Sequence, residues 1–538
     1  MKVLLVGGTG VFGSRLARLL VRDKHAVTIA GRNLANAKLL ASELNCSARQ
    51  MDRNGDFGSL EEFDVLVDAA GPYHAYGDNP YRLASAAILA GIHYLDLSDN
   101  AAFCQGISKL DKDARAAGVC AISGMSSVPA LSSAVVRSLI ADDVPNRIET
   151  AILPGNRSPR GLSVMASILM QAGRPMKIFR NGHWTDAIGW SAPRNYTLPG
   201  DLIRQGWLIE VPDVTLFPKH FSAQTVVFRA GLELAVMRYG LWLVAILRRW
   251  VPIPINGPVL RLFKLAADML APFGGDKGGM SVEVTVGHER RWWRLLAEDG
   301  DGPFIPTIAI RALLRRKTLP IGAGPALETI TLSEAEAAMS DVKVRSERGA
   351  EEHKPIFQQV LGDTFNALPP KVRATHRTIE VSRWCGQATV LRGEDSWSKF
   401  LGWVFGFPAN AKDIRVEVTK TVTKQGETWE RRFGERNFKS YLQATSQGMA
   451  ERFGPFTFQL GLEVTDDCLH FPVLSGRIGP LPLPRWLLPI SDAREYEKNG
   501  RFHFDVKLKA PFTHNLLAHY QGNLSEMIPR RRKRQSSN

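Results

Sequence analysis

The residues best suited to chemistry lie at the start of the chain. Gly8, Gly10 and Gly13 stand in the run Gly7-Gly8-Thr9-Gly10-Val11-Phe12-Gly13, a G-x-G-x-x-G spacing. Such a loop holds the pyrophosphate of a dinucleotide. One glycine makes the turn, one lets the backbone approach the phosphates, and one lets a helix pack against a strand. The helix start adds free N–H groups and the positive end of its dipole. Thr9, Val11 and Phe12 complete the loop. Where a carboxylate would bond a ribose 2′-hydroxyl, Arg32 stands instead. A guanidinium there attracts a 2′-phosphate, so NADP is expected over NAD as cofactor. Asn33 follows as an N-cap, and Asp52 is assigned to the adenine edge. Ala70, Gly71 and Pro72 make a backbone turn where ligands bind in such folds. Hydride transfer would be the cofactor's chemistry, and the protein must orient it and supply a proton. Tyr73, Tyr94 and Asp96, with His74, are the candidate catalytic donors.

These residues need strands and helices to hold them. Met1 to Val6 (MKVLLV) is an apolar run of buried-strand type, and SRLARLLVRD continues it as a helix. Strands are expected at His25–Ala30, Cys46–Met51, Phe63–Ala69, His93–Leu97 and Val119–Ser123, with helices between them. That alternation predicts an α/β fold, a Rossmann-type doubly wound parallel sheet over residues 1–135. Residues 136–345 read as a second α+β domain serving substrate or dimerisation. In it, Met280–Val286 and Trp292–Ala297 pair as strands over the nicotinamide cleft. Proline and glycine suggest irregular loops near 154–161, 193–200 and 252–258. Residues 346–354 (SERGAEEHK) read as a charged linker. From 352 to 528 the pattern becomes period-two, which predicts a β-rich α+β module with one helix near Ser396–Phe405. His376, Arg383, Arg431, Arg477, His503 and Asp505 are candidates to line a pocket there. Residues 529–538, with Arg530 to Arg534, read as a basic disordered tail.

Composition narrows the function classes. Lysine and arginine number 68 against 53 acids, a net charge of +15. That field suits phosphorylated cofactors or anionic surfaces; with no recognisable nucleic-acid module, no nucleic-acid partner is expected. The five cysteines are scattered and form no C-x-x-C pair. They predict neither a disulfide framework nor a zinc site, and fit a reducing cytoplasm. No metal is expected. The stretch Ala230–Trp250 is apolar, but Glu233 and Arg238 interrupt it. It reads as a core or interface helix rather than a membrane span, which leaves peripheral contact with the inner membrane surface and a homodimer open. There is no Ser-His-Asp order, no H-E-x-x-H and no P-loop lysine.

The segments GGTGVFG, AAGPYHAYG, HYLDLSDN and SGMSSVPALSSA resemble the saccharopine dehydrogenase-like reductases across residues 1–135. A later block looks like that family's return segment: WWRLLAEDGDGPFIPTIAIRALL, then PIGAGPALETITL, within 279–338. The resemblance implies an NADP-binding oxidoreductase and leaves the substrate open, from amino-acid-like to lipid-linked molecules. FNALPPKVRATH, GPLPLPRWLLP and NGRFHFDV resemble a module often fused behind these reductases. Two functions follow as expectations. One is an NADPH-dependent reduction of a C=C, C=N or C=O bond in a mostly apolar small-molecule substrate. The other is a non-catalytic NADP-binding scaffold whose C-terminal module binds a lipid or a protein.

Overall fold

The computed structural model describes residues 1–527 except 160, 252–253, 256, 353, 379–380, 424–425 and 466. The tail expected at 529–538 lies outside the described residues. The chain divides into two compact units, Met1–Glu351 and Glu352 onward.

The N-terminal unit begins with an all-parallel sheet. Its strands are β1 (Lys2–Val6), β2 (Ala26–Gly31), β3 (Ser47–Gln50), β4 (Val65–Asp68), β5 (His93–Asp96) and β6 (Cys120–Ser123). They lie in the order β3-β2-β1-β4-β5-β6, and a seventh strand, Gly322–Pro325, returns to pair with β6. Val3 to Val6, the whole of β4 and the whole of β6 are buried, as a sheet covered on both faces requires. Helix α1 (Val11–Arg22) buries Gly13, Leu16, Ala17, Leu19 and Leu20 on one face. Asp23, just past its end, accepts bonds from Arg311 and Arg315 at 2.8–2.9 Å. Burial alone would push the Asp23 carboxyl up; the two guanidiniums outweigh it and hold it well below the usual range. This ion cluster clamps the return segment to the first helix.

A second sheet of nine strands follows in the same unit. Its main path runs Arg194–Leu198, Leu202–Leu208, Thr225–Gly231, Arg147–Leu153, Gly278–Val286, Glu289–Ala297 and Val344–Glu352. One apolar core includes Leu5, Leu16 and Ile122 with Val282, Trp293 and Leu295 of this second sheet. Helix Ser132–Ile140 runs across residue 135. Two expectations need correcting. The region near 193–200 is a strand rather than an irregular loop, because Tyr196 and Leu198 alternate into the core. The charged stretch from Ser346 continues an edge strand as far as Glu352; an exposed edge accepts charged side chains that a central strand would not.

Within this second sheet Glu149 is wholly buried among Arg147, Arg194, Arg229 and the Tyr196 hydroxyl. Burial opposes its charge, but Arg147, Arg229 and Arg194 outweigh that and hold its carboxyl well below the ordinary value.

The C-terminal unit is a ladder of thirteen strands, antiparallel at each junction described. Val381–Arg392, Ala411–Val422, Glu427–Phe433, Arg436–Thr445, Ile490–Lys498, Arg501–Lys509 and Leu516–Glu526 make its central part. The strand Val381–Arg392 runs twelve residues. Helices Ile356–Leu361, Pro370–Thr375 and Ser396–Val404 pack on it. Phe458 and Leu460, near one end of the ladder, share one apolar core with Leu469 near the other. The sheet therefore curls on itself.

Candidate functional site

The glycine loop joins β1 to α1, and its glycines do different jobs. Gly7 has φ +73°, and a Cβ there would lie 2.7 Å from the Ala69 backbone. A Cβ on Gly13 would lie 2.2 Å from the Gly7 oxygen, and one on Gly8 would lie 2.9 Å from Ile29 Cγ2. Gly8 and Gly13 thus serve close packing behind the loop. Thr9, Gly10, Val11 and Phe12 line a cleft of about 1100 Å³. The first turn of α1 carries no acidic side chain, and its leading N–H groups have no acceptor within the helix. A dinucleotide pyrophosphate fits this edge.

Arg32 follows β2 and lines the same cleft with Asn33 and Asp52. Among the described residues its guanidinium has no hydrogen bond or ion pair; its carbonyl accepts from Gln50 Nε2 at 3.2 Å. Asn33 Oδ1 accepts from the Asn36 amide at 3.1 Å, so this side chain caps the next helix, Leu34–Leu44. Asp52 Oδ1 accepts from the Asn54 amide at 3.0 Å and shapes the turn. Arg53, passed over in the sequence reading, stands beside it with its guanidinium 3.0 Å from the Tyr76 ring centroid. Ala70, Gly71 and Pro72 form the opposite lip, and the Ala70 amide donates to Asp68 Oδ1 at 3.0 Å.

The expected proton donors are placed less favourably. Tyr73 touches the cleft with its ring, but its hydroxyl donates to the Asp68 carbonyl at 2.8 Å and accepts from the Leu97 amide at 3.1 Å. It ties β4 to β5. Tyr94 and Asp96 sit within β5, buried behind the cleft wall and outside its lining. The Tyr94 hydroxyl reaches Asp68 Oδ2 at 3.4 Å. Asp96 Oδ1 accepts from Gly124 N at 2.8 Å, and from Ser98 N and Ser123 Oγ at 2.9 Å each, while burial pushes its carboxyl up to about 7. His74 is exposed and outside the lining. Ligands bind beyond the carboxyl ends of such strands, and Tyr94 and Asp96 lie within the strand itself.

Asp99, like Asp52 and Glu210, is an acid on the cleft lining. It lies three residues past Asp96, in the loop leaving β5. Burial raises its carboxyl, against which the Ser167 hydroxyl and the neighbourhood of His74 act. HYLDLSDN held the signal, in the rule that loops rather than strands face the ligand.

The far side of the cleft is apolar. Met165 and Ile168 come from helix Leu162–Gln171, Met237 and Leu241 from Ala235–Trp250, and Phe263 and Ala267 from Gly257–Leu270. The strand pair Gly278–Val286 and Glu289–Ala297 contributes Met280 and Leu295. No helix of the described residues is long and apolar enough to cross a membrane. Among the described residues no cluster of three or more His, Cys, Asp or Glu is placed to hold a metal ion.

Two family models match parts of the chain. Residues 3–122 match the saccharopine dehydrogenase NADP binding domain family, and residues 368–524 match the family described as Domain of unknown function (DUF4166). The N-terminal domain is thus of a type that binds a nicotinamide dinucleotide. No curated protein matches the chain. Among solved structures, apo saccharopine dehydrogenase (L-Glu forming) from Saccharomyces cerevisiae is 13% identical, over 65% of this chain and 99% of its own, with a TM-score of 0.45. A probable dehydrogenase from Thermotoga maritima is 12% identical over 63% of this chain and 93% of its own, with a TM-score of 0.31.

Proposed function

We propose that the N-terminal unit is an NADP-dependent oxidoreductase that reduces a C=C, C=N or C=O bond in an apolar small molecule. The observation that carries this reading is one cleft with two unlike walls. Glycine-loop backbone and Arg32 form one, and the apolar faces of three helices form the other. The bound nicotinamide would supply hydride. Thr9 to Phe12 would hold the pyrophosphate through backbone N–H groups. Arg32 would pair with the 2′-phosphate. Ala70, Gly71 and Pro72 would support the cofactor along the opposite lip. The helix wall would exclude water from the reacting bond. Asp99, whose carboxyl burial raises and which lines the cleft, would be the group placed to pass a proton at its carboxyl oxygen.

The test is a fluorescence or calorimetric titration of NADPH and NADH against wild type and Arg32→Ala. Charge-assisted hydrogen bonds contribute ~1.5–3 kcal/mol, so Arg32→Ala should weaken NADPH by roughly ten- to a hundredfold. NADH lacks the phosphate and should keep its affinity. Preference of the wild type for NADH, or equal weakening of both cofactors, would overturn the assignment of Arg32. Binding of neither cofactor would remove the oxidoreductase reading altogether.

A further inference from the structure

The C-terminal unit encloses a cavity of about 490 Å³, within the roughly 300–1,000 Å³ that small-molecule sites occupy. Its wall is apolar and aromatic, with Val416, Val418, Phe433, Phe458, Phe504 and Leu524 among the contributors. The polar side chains on the wall are almost all matched. Arg431 donates to Ser440 Oγ at 2.7 Å and Glu451 Oε1 at 3.0 Å. Glu495 binds His376 Nε2, and Arg494 donates to Asp505 Oδ2 at 3.0 Å. Of the pocket candidates read from sequence, Arg431 lines this cavity.

Lys420 is the exception. It is 1% exposed and lines the cavity. Its ammonium donates to the Thr375 carbonyl at 2.8 Å and lies 3.7 Å from the Trp429 ring centroid. Among the described residues it has no ion pair, which leaves two N–H donors without an acceptor. Glu427 stands close in register, since it pairs with Val422. It takes the Trp429 indole N–H at 2.8 Å, and burial pushes its carboxyl up, towards the neutral acid. Burial likewise pushes Lys420 down, aided by Arg431 and opposed by the charges of Glu495 and Glu427, neither of which forms an ion pair with it. An anion delivered from outside would hold the Lys420 charge in place.

Phe400, Leu487 and Pro511 of the lining adjoin exposed aromatic side chains. Helix Ser396–Val404 exposes Phe400 and Trp403, the turn Arg485–Leu487 exposes Trp486, and the loop after Ala510 exposes Phe512. The Phe512 ring meets Trp397 edge-on at 6.1 Å and lies tilted against Trp486 at 4.9 Å between centroids, so these pieces form one rim. Helix Ser396–Val404 follows the end of strand Val381–Arg392, just past the Val390–Ala411 pair, and Lys420 pairs with Ser382 at the other end of the same two strands. Nine residues of strand separate Ala411 from Lys420, roughly 30 Å at ~3.3 Å per residue.

We propose that this cavity binds a long-chain carboxylic acid, its hydrocarbon chain along the aromatic wall and its carboxylate on Lys420. Binding makes and breaks no covalent bond. The full-length protein is titrated with cis-parinaric acid, a fluorescent fatty acid, and the probe is displaced with oleic acid or with methyl oleate. Lys420→Met should weaken the two acids by about ten- to a hundredfold, the loss of one charge-assisted pair, and leave the methyl ester unchanged. Ala493→Phe, which places a ring across the cavity between Ser491 and Glu495, should abolish binding of all three. Circular dichroism confirms that each variant is folded. The proposal is overturned if wild type fails to bind cis-parinaric acid, or if Lys420→Met weakens acid and ester alike. It is also overturned if the probe still binds Ala493→Phe, since the probe then sits on the exposed rim.

Discussion

Glu149 in the N-terminal unit and Lys420 in the C-terminal unit are both buried in β-sheet, at 0% and 1% exposure. Three guanidiniums and a tyrosine hydroxyl surround Glu149, whereas Lys420 has one carbonyl and the face of an indole. A buried charge is costly unless paired. Glu149 is paired within the chain and belongs to the scaffold. Lys420 stands on the wall of a cavity with no ion pair among the described residues, where the proposed carboxylate would reach it. The same contrast separates the two sites. In the proposed readings the N-terminal cleft offers backbone N–H groups and the Arg32 guanidinium to anions, while the C-terminal cavity offers one buried ammonium.

The contrast can be broken most directly at Glu149. Glu149→Gln leaves Arg147, Arg194 and Arg229 facing one another, and removing one partner from a buried pair costs about 3–5 kcal/mol. Chemical denaturation should show that loss. In the wild type the depressed carboxyl contributes stability above the ordinary glutamate range near pH 4 and loses it as pH falls through the folded value. The variant should lack that acid limb. A neutral outcome for Glu149→Gln would show that the cluster is not a scaffold element.

Lys420→Met should have the opposite sign. It replaces a poorly compensated charge with an apolar side chain of similar length, and the apo protein should gain about 1 kcal/mol in the same measurement. A clear loss would mean that Lys420 is a structural ion, as Glu149 is. The smallest effect is expected at Tyr73. Its hydroxyl bridges the Asp68 carbonyl and the Leu97 amide, so Tyr73→Phe should cost ~1 kcal/mol of stability. NADPH affinity should stay within a factor of two or so, on the order of 0.4 kcal/mol. A large loss of affinity would return Tyr73 to the binding site.

The parallel sheet and the glycine loop were legible in the sequence because their requirements are local. Only glycine tolerates the contacts at Gly7 and Gly13, and only apolar runs fill a sheet covered on both faces. Tyr94 and Asp96 were harder. Alternation puts both on one face of β5 but does not say whether that face meets the cleft, whose lining takes Asp99, just past the strand, instead. Residues 346–352 misled because charge marks an edge strand as readily as a linker. In Ala411–Val422 the period-two pattern aligns Val416, Val418 and Lys420. Whether that face meets solvent or a cavity depends on how thirteen strands curl, which no short segment records.

The strand Gly322–Pro325 carries a consequence for biosynthesis. A ribosome releases β6 long before this partner, with the strands of the second sheet emerging in between. Until then Cys120, Ala121 and Ile122 present an unpaired apolar edge, the kind that recruits other chains. Domains ordinarily fold N-terminal first as they emerge, but this one lacks its outer strand until the return segment is made. Nascent chains halted before Gly322 should therefore depend on chaperones, although they already carry the entire glycine loop.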